Sequence, residues 1–139
     1  MSEANLDFVR RAIEGWNSFF KQGTDPAPLL REFLDPDVTL EFSRRLIEAE
    51  VYRGHVGARR FLEQVREPWD DFQISPEQVL DAGDRVVVFS RVVGHAKQTG
   101  ISIDSTVAHL LTVRAGKLTH IEYFGEDRAA CLEAAGLSD

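Results

Sequence analysis

A chain of 139 residues fits one domain and can bury a real core. Its 43% hydrophobic and 28% charged residues are the balance of a soluble globular protein, and no apolar run approaches the about 20 residues that cross a bilayer. A net charge of −7 argues against nucleic acid as a partner, because phosphate backbones need a concentrated basic surface. Arg44-Arg45 and Arg59-Arg60 then read as solvated surface pairs. Cys131 is the only cysteine, so no disulfide framework exists within the chain. With no basic stretch followed by an apolar one after Met1, the expected compartment is the cytoplasm.

In chain order, Val9, Ile13, Trp16 and Phe20 recur at helical spacing and predict an amphipathic helix over 6–22, stopped by Gly23. A short helix follows from Pro26, with Leu29, Leu30, Phe33 and Leu34 on its apolar side. It ends near Asp35, because Pro36 disfavours helix in the residue before it. Val38, Leu40 and Phe42 alternate with polar neighbours as a half-buried strand, and 46–52 reads as a short second strand. A third helix spans 56–66. Residues 72–82 are extended but carry Pro76, the mark of an edge or bulged strand. Long strands then cover 86–95, 101–113 and 118–124, with a three-residue hairpin loop at 114–116. A last helix covers 126–135, capped by Gly136. Helices first, a curled antiparallel sheet and a terminal helix make an α+β domain with helices on one sheet face.

Polar residues inside otherwise apolar strands are the functional lead, since a polar group on an inner face is costly without a partner or ligand. With turns near 99 and at 114–116, Arg91 lies opposite Val107, His109 opposite Ile121, and Val107 opposite Tyr123. One face then carries Phe89, Arg91, Val93, Val107, His109, Leu111, Ile121 and Tyr123. The other carries Val86, Val88, Val92, Ala108, Leu110, Leu118 and Phe124. It is apolar too, which points to a homodimer through that outer face. A one-residue slip would scatter the polar cluster.

The segments YRGHVGARRFLEQVREPWDDF, DAGDRVVVFSRVVG and AHLLTVRAGKLTHIEYFGEDRAACLEAAGL, in that order and spacing, resemble the SnoaL-like branch of the nuclear transport factor 2-like superfamily. The resemblance implies one SnoaL-like domain over 1–139. Such a domain is a cone, in which a curved antiparallel sheet wraps a long N-terminal helix around an inner cavity, as in cystatin-like folds. Relatives include ketosteroid isomerase, polyketide cyclases and non-catalytic binding domains, so the fold does not choose an activity. The isomerase's first-helix tyrosine matches Trp16, its general-base aspartate matches Phe42, and its oxyanion-hole aspartate matches His109. All three polar positions are changed, which argues against steroid-isomerase chemistry by that route. The match still implies that these three residues look into the cavity.

His109 is the candidate proton shuttle if burial keeps it neutral, or else a core histidine. Arg91 is the candidate oxyanion or carboxylate holder, or else a salt-bridged or snorkelling side chain. Tyr123 either orients a substrate or lines a wall. Trp16, Phe42, Phe89, Val107 and Ile121 are the candidate ligand contacts, or simply core. No metal-ligand spacing, phosphate loop or cofactor motif is present. The expected function is binding of a small hydrophobic molecule. An enzyme would be a cofactor-independent isomerase, cyclase, dehydratase or hydrolase acting on a carbonyl- or carboxylate-bearing substrate. The alternative is a non-catalytic ligand-binding or dimerisation module.

Overall fold

The computed structural model describes residues 3–44 and 49–137. Helix α1 (Glu3–Gln22) is followed by α2 (Ala27–Phe33), β1 (Leu34–Phe42), β2 (Glu50–Arg53), α3 (Gly54–Arg66), β3 (Trp69–Ala82), β4 (Arg85–Ala96), β5 (Ser102–Arg114), β6 (Lys117–Gly125) and α4 (Arg128–Ala134). The six strands form one curved, open sheet in the order β2-β1-β6-β5-β4-β3. All neighbours are antiparallel except β1 and β6. The apolar stripe of α1, Phe8, Val9, Ala12, Ile13 and Phe20, is buried in the core on the concave face of the sheet.

The chain turns extended earlier than its apolar pattern predicts. Leu34 has φ −110° and ψ 134° and already pairs with Leu118, so β1 begins there and runs through Pro36. Proline forces its predecessor out of helix, and the pairing with β6 breaks between Leu34 and Thr39 where the proline lacks its N–H. Of the strand expected over 46–52, residues 46–48 lie outside the described residues. Strand β3 is at the sheet edge and bulged twice, near Asp70 and near Pro76, as its proline required.

Two hairpins depart from the expected register. The β4–β5 loop is closed by the Ala96 N–H donating to the Ile101 carbonyl at 2.8 Å, so its centre lies half a residue earlier than a turn at 99. Ser90 therefore faces Val107, and Arg91 faces Thr106. The single-residue slip turns every β4 side chain over. Val86, Val88, Ser90 and Val92 look inward, while Val87, Phe89, Arg91 and Val93 look outward. The β5–β6 loop has two residues, not three: Arg114 pairs with Lys117, and Ala115 and Gly116 both have positive φ (50° and 73°). That is the primed turn favoured by strand twist. The shorter loop and the bulge between Thr112 and Val113 together make His109 face Tyr123 rather than Ile121. This shift is two residues, so parity is kept. A bulge at Thr112/Val113 swings Leu118 inward, against expectation.

The outer face is covered by the chain itself. Helix α4 lays Cys131, Leu132 and Ala135 over Val87, Phe89, Ala108, Leu110 and Phe124, all of them buried. Its N-cap is Asp127, whose side chain accepts the Ala130 N–H at 3.0 Å. The apolar outer face thus has its own lid and does not call for a second copy to cover it. No helix among the described residues is long and apolar enough to cross a membrane.

Asn17 ties the central helix to the exposed sheet edge. Its side chain donates to the Ile74 carbonyl (2.7 Å) and accepts the Ile74 N–H (2.8 Å), filling the edge-facing groups of β3 as a neighbouring strand would. Asn17→Leu is expected to cost about 1–3 kcal/mol, because two part-buried backbone groups lose their partners together. Urea unfolding measures this, and an unchanged midpoint would show that water replaces the amide at no cost.

Candidate functional site

The concave face leaves a cavity of about 350 Å³ between α1, the end of α3 and the sheet. Strand alternation supplies its sheet wall: Ile103, Ser105, Val107 and His109 from β5, Val92 from β4 and Tyr123 from β6. Helices α1 and α3 supply Trp16, Phe20, Phe61 and Gln64, and β3 supplies Trp69, Phe72 and Ile74. Of the expected site residues, Trp16, Phe42, Val107, His109 and Tyr123 line it. Ile121 is on the same face but sealed in the core beneath, 1% exposed.

Phe89 and Arg91 are corrections. The β4 slip puts both on the convex side. Phe89 is buried there, with the Arg128 guanidinium 4.1 Å from its ring centroid. Arg91 is 54% exposed and forks onto Asp104, with Nε–Oδ1 at 2.8 Å and Nη2–Oδ2 at 2.5 Å. The pair holds the Asp104 carboxyl below its usual range, chiefly through the hydrogen bond from Arg91. The arginine is an exterior salt bridge, unable to touch anything in the cavity. Its acidic partner, diagonal to it on the outer face, becomes visible once the register is right.

An aromatic cluster sets the position of His109. Phe42 stacks on Tyr123 (centroids 5.1 Å apart, planes 19°) and leans on Phe61 at 4.4 Å. His109 meets the edges of this group, 6.2 Å from Phe42 and 5.3 Å from Tyr123. Among the described residues no hydrogen-bond donor or acceptor reaches its imidazole, and its partial exposure is to the cavity rather than to bulk solvent. Desolvation by this surrounding pushes its pKa down to about 4. At neutral pH the ring is therefore uncharged, with one nitrogen free to accept and the other to donate.

Among the described residues no Lys, Arg, Asp or Glu lines the cavity. Its further polar groups are Gln64, whose Oε1 accepts the Tyr52 hydroxyl at 2.9 Å, Ser105, the Tyr123 hydroxyl and the indole N–H groups of Trp69 and Trp16, the last buried with no hydrogen-bond partner among the described residues. No group of three or more His, Cys, Asp or Glu among the described residues is placed to hold a metal ion.

Pattern reading passed over Trp69, Phe72, Phe61, Gln64 and Ser105. Beside Asp70 and Asp71 in the sequence, Trp69 carries no mark of a cavity residue. Instead the bulge at Asp70, with Asp71 at φ 53°, delivers both Trp69 and Phe72 to the cavity. The available signal was Gly94 on the facing strand. A Cβ there would come within 3.3 Å of Phe72 and 3.4 Å of Trp69, so the missing side chain makes room for two rings.

A family model for the SnoaL-like domain matches residues 9–121. The chain belongs to the SnoaL-like family. Solved structures with the same fold include a SnoaL-like polyketide cyclase, so described, from Jannaschia sp. CCS1 (22% identity, 99% of this chain and 98% of that one covered, TM-score 0.74). A nuclear transport factor 2-like protein from Anabaena variabilis is 22% identical over 89% of this chain and 90% of its own, with TM-score 0.75. TerC, co-crystallised with polyporic acid, is 25% identical over 91% and 96%, with TM-score 0.65. Among curated proteins, none matches in sequence.

Proposed function

We propose that this protein binds a small hydrophobic carbonyl compound in its cone and moves a proton on it without a cofactor, as an isomerase or cyclase does. The observation that carries this is His109: a neutral imidazole, unpartnered among the described residues, on the wall of a 350 Å³ aromatic cavity. A histidine acts as a general base only while it is unprotonated and within reach of the proton it takes. His109 would take a proton from carbon or oxygen beside the carbonyl and return it at a second position. Tyr123, facing it across the hairpin, would orient the substrate. The aromatic walls would keep water from competing. The carboxylate-bearing substrate class has lost its support, because the arginine expected to hold it is outside. Family likeness to polyketide cyclases supports the reaction class.

The test is solvent deuterium exchange at the α-carbon of α-tetralone, a neutral bicyclic ketone, followed by NMR. The protein is expected to speed exchange saturably. The rate should hold from pH 7 downward and fall only near pH 4, where His109 takes up its proton. Saturable binding with no exchange would leave the alternative, a non-catalytic ligand-binding module. An acid limb near pH 6.5 would assign the chemistry to another group.

A further inference from the structure

We propose that Gln64 is a second working group of the cavity, a fixed donor to the substrate's carbonyl oxygen, and that Tyr52 is the residue that positions it. This rests on the proton-transfer reading and goes further by giving roles to two residues which that reading leaves idle.

The chain of contacts starts at the surface. Arg60 pairs with Glu50 and lays its guanidinium over the Tyr52 ring, 4.7 Å from the centroid. Arg60 and Gln64 stand one turn apart on α3, so both meet the same ring. Tyr52 is 1% exposed, and Phe61 at 5.2 Å and Phe42 at 6.4 Å hold it edge-on. A ring so enclosed has a fixed place for its hydroxyl, which donates to Oε1 of Gln64 at 2.9 Å. A carboxamide accepts at its oxygen and donates at its nitrogen. With the oxygen engaged by Tyr52, Gln64 has Nε2 to offer, and Nε2 has no hydrogen-bond partner among the described residues. Gln64 is exposed yet lines the same cavity as His109, so it stands where the cavity opens. Phe42 touches both Tyr52 and His109, which brings the amide's anchor and the base to one aromatic cluster from different elements. Removing a proton beside a carbonyl puts negative charge on its oxygen, and a donor already in place stabilises that charge without reorganising. The hydroxyls of Ser105 and Tyr123 can rotate and accept as well as donate, and the Trp16 N–H is buried. An amide pinned by its oxygen presents only its N–H groups.

Equilibrium dialysis and infrared spectroscopy at pH 7 test this with α-tetralone and with tetralin, the same skeleton lacking the carbonyl. The carbonyl of bound α-tetralone is expected to stretch at lower wavenumber than in an apolar solvent, and Gln64→Leu should return it to the apolar value. That variant should bind α-tetralone about tenfold more weakly for the lost hydrogen bond. It should exchange the α-proton about 10²–10³-fold more slowly, the usual loss for one oxyanion donor. Unchanged tetralin binding shows that it is folded. Tyr52→Phe keeps the ring and removes the anchor. It should move the band part of the way back and slow exchange, yet change neither when added to Gln64→Leu. A band that is not lowered, or that Gln64→Leu leaves in place, overturns the assignment while the binding reading stands. Equal effects of Tyr52→Phe with and without Gln64→Leu overturn the positioning role of Tyr52. A lowered band that depends on Gln64, in a protein that exchanges no proton, supports the amide as the carbonyl's holder and ends the proton-transfer reading. If neither compound binds, both fall together.

Discussion

His109→Gln is expected to slow α-proton exchange by about 10²–10⁴-fold, the usual contribution of a positioned base, while the protein stays folded at pH 7. Glutamine keeps a polar amide of similar size but cannot carry the proton. The same substitution should change the response to acid. In the unfolded chain His109 titrates near 6.5, whereas in the folded protein it titrates near 4. Above pH 6.5 both states are neutral there, and the stability is complete. As pH falls from 6.5 toward 4, the unfolded chain binds a proton that the folded one refuses. Stability is lost over that window, by up to about 3 kcal/mol. His109→Gln lacks this loss, so its advantage over the parent should grow by about that amount between pH 7 and pH 4. Urea midpoints at a series of pH values read it directly. Parallel acid curves would mean that the imidazole is hydrated in the folded state and not the poised base described above.

Phe42→Ala is expected to be the most damaging single truncation around the cavity. The ring is 6% exposed and joins four groups: it stacks on Tyr123, packs on Phe61, and meets Tyr52 and His109 edge-on. Truncating a buried phenylalanine costs about 3–5 kcal/mol, the larger part from packing that cannot close over the gap. One side of Phe42 already faces the cavity, so the cost should fall toward the lower end, about 3 kcal/mol, and the new space should merge with the old. Two measurements check this: the urea midpoint drops, and α-tetralone binding loosens as Tyr123 and His109 lose their support. A loss below about 1 kcal/mol would show that neighbouring rings collapse into the gap, which close-packed interiors rarely allow.

Much of the architecture was legible because helices and strands announce themselves through local spacing. The α1 stripe from Val9 to Phe20 needs only its own period to be recognised, and its burial follows. Pro76 by itself demoted β3 to an edge, and the edge is where it lies. Trp16, Phe42 and His109 were legible as cavity residues because their places in the family pattern are set by the fold, whatever side chain occupies them. Within β5, Val107, His109 and Leu111 share a face by strand geometry alone.

What alternation could not decide was how neighbouring strands line up. Val86, Val87, Val88 and Phe89 are all buried, because β4 is covered by the core on one side and by α4 on the other. A strand apolar on both faces carries no mark of which face is inner, so its register is set by the loop that joins it to β5. There a difference of one residue in the pairing sends Arg91 outside and Ser90 inside. Likewise Trp69 and Phe72 reach the cavity through a bulge at Asp71 that interrupts the pairing of β3 with β4, a feature that strand alternation does not announce. The amino-acid order alone determined the family, the elements and the imidazole's place on an inner face. Only the tertiary structure decided that the Arg91 guanidinium is absent from that face, and with it that no charged side chain among the described residues lines the cavity, because charge inside a fold depends on strand pairing and not on strand composition.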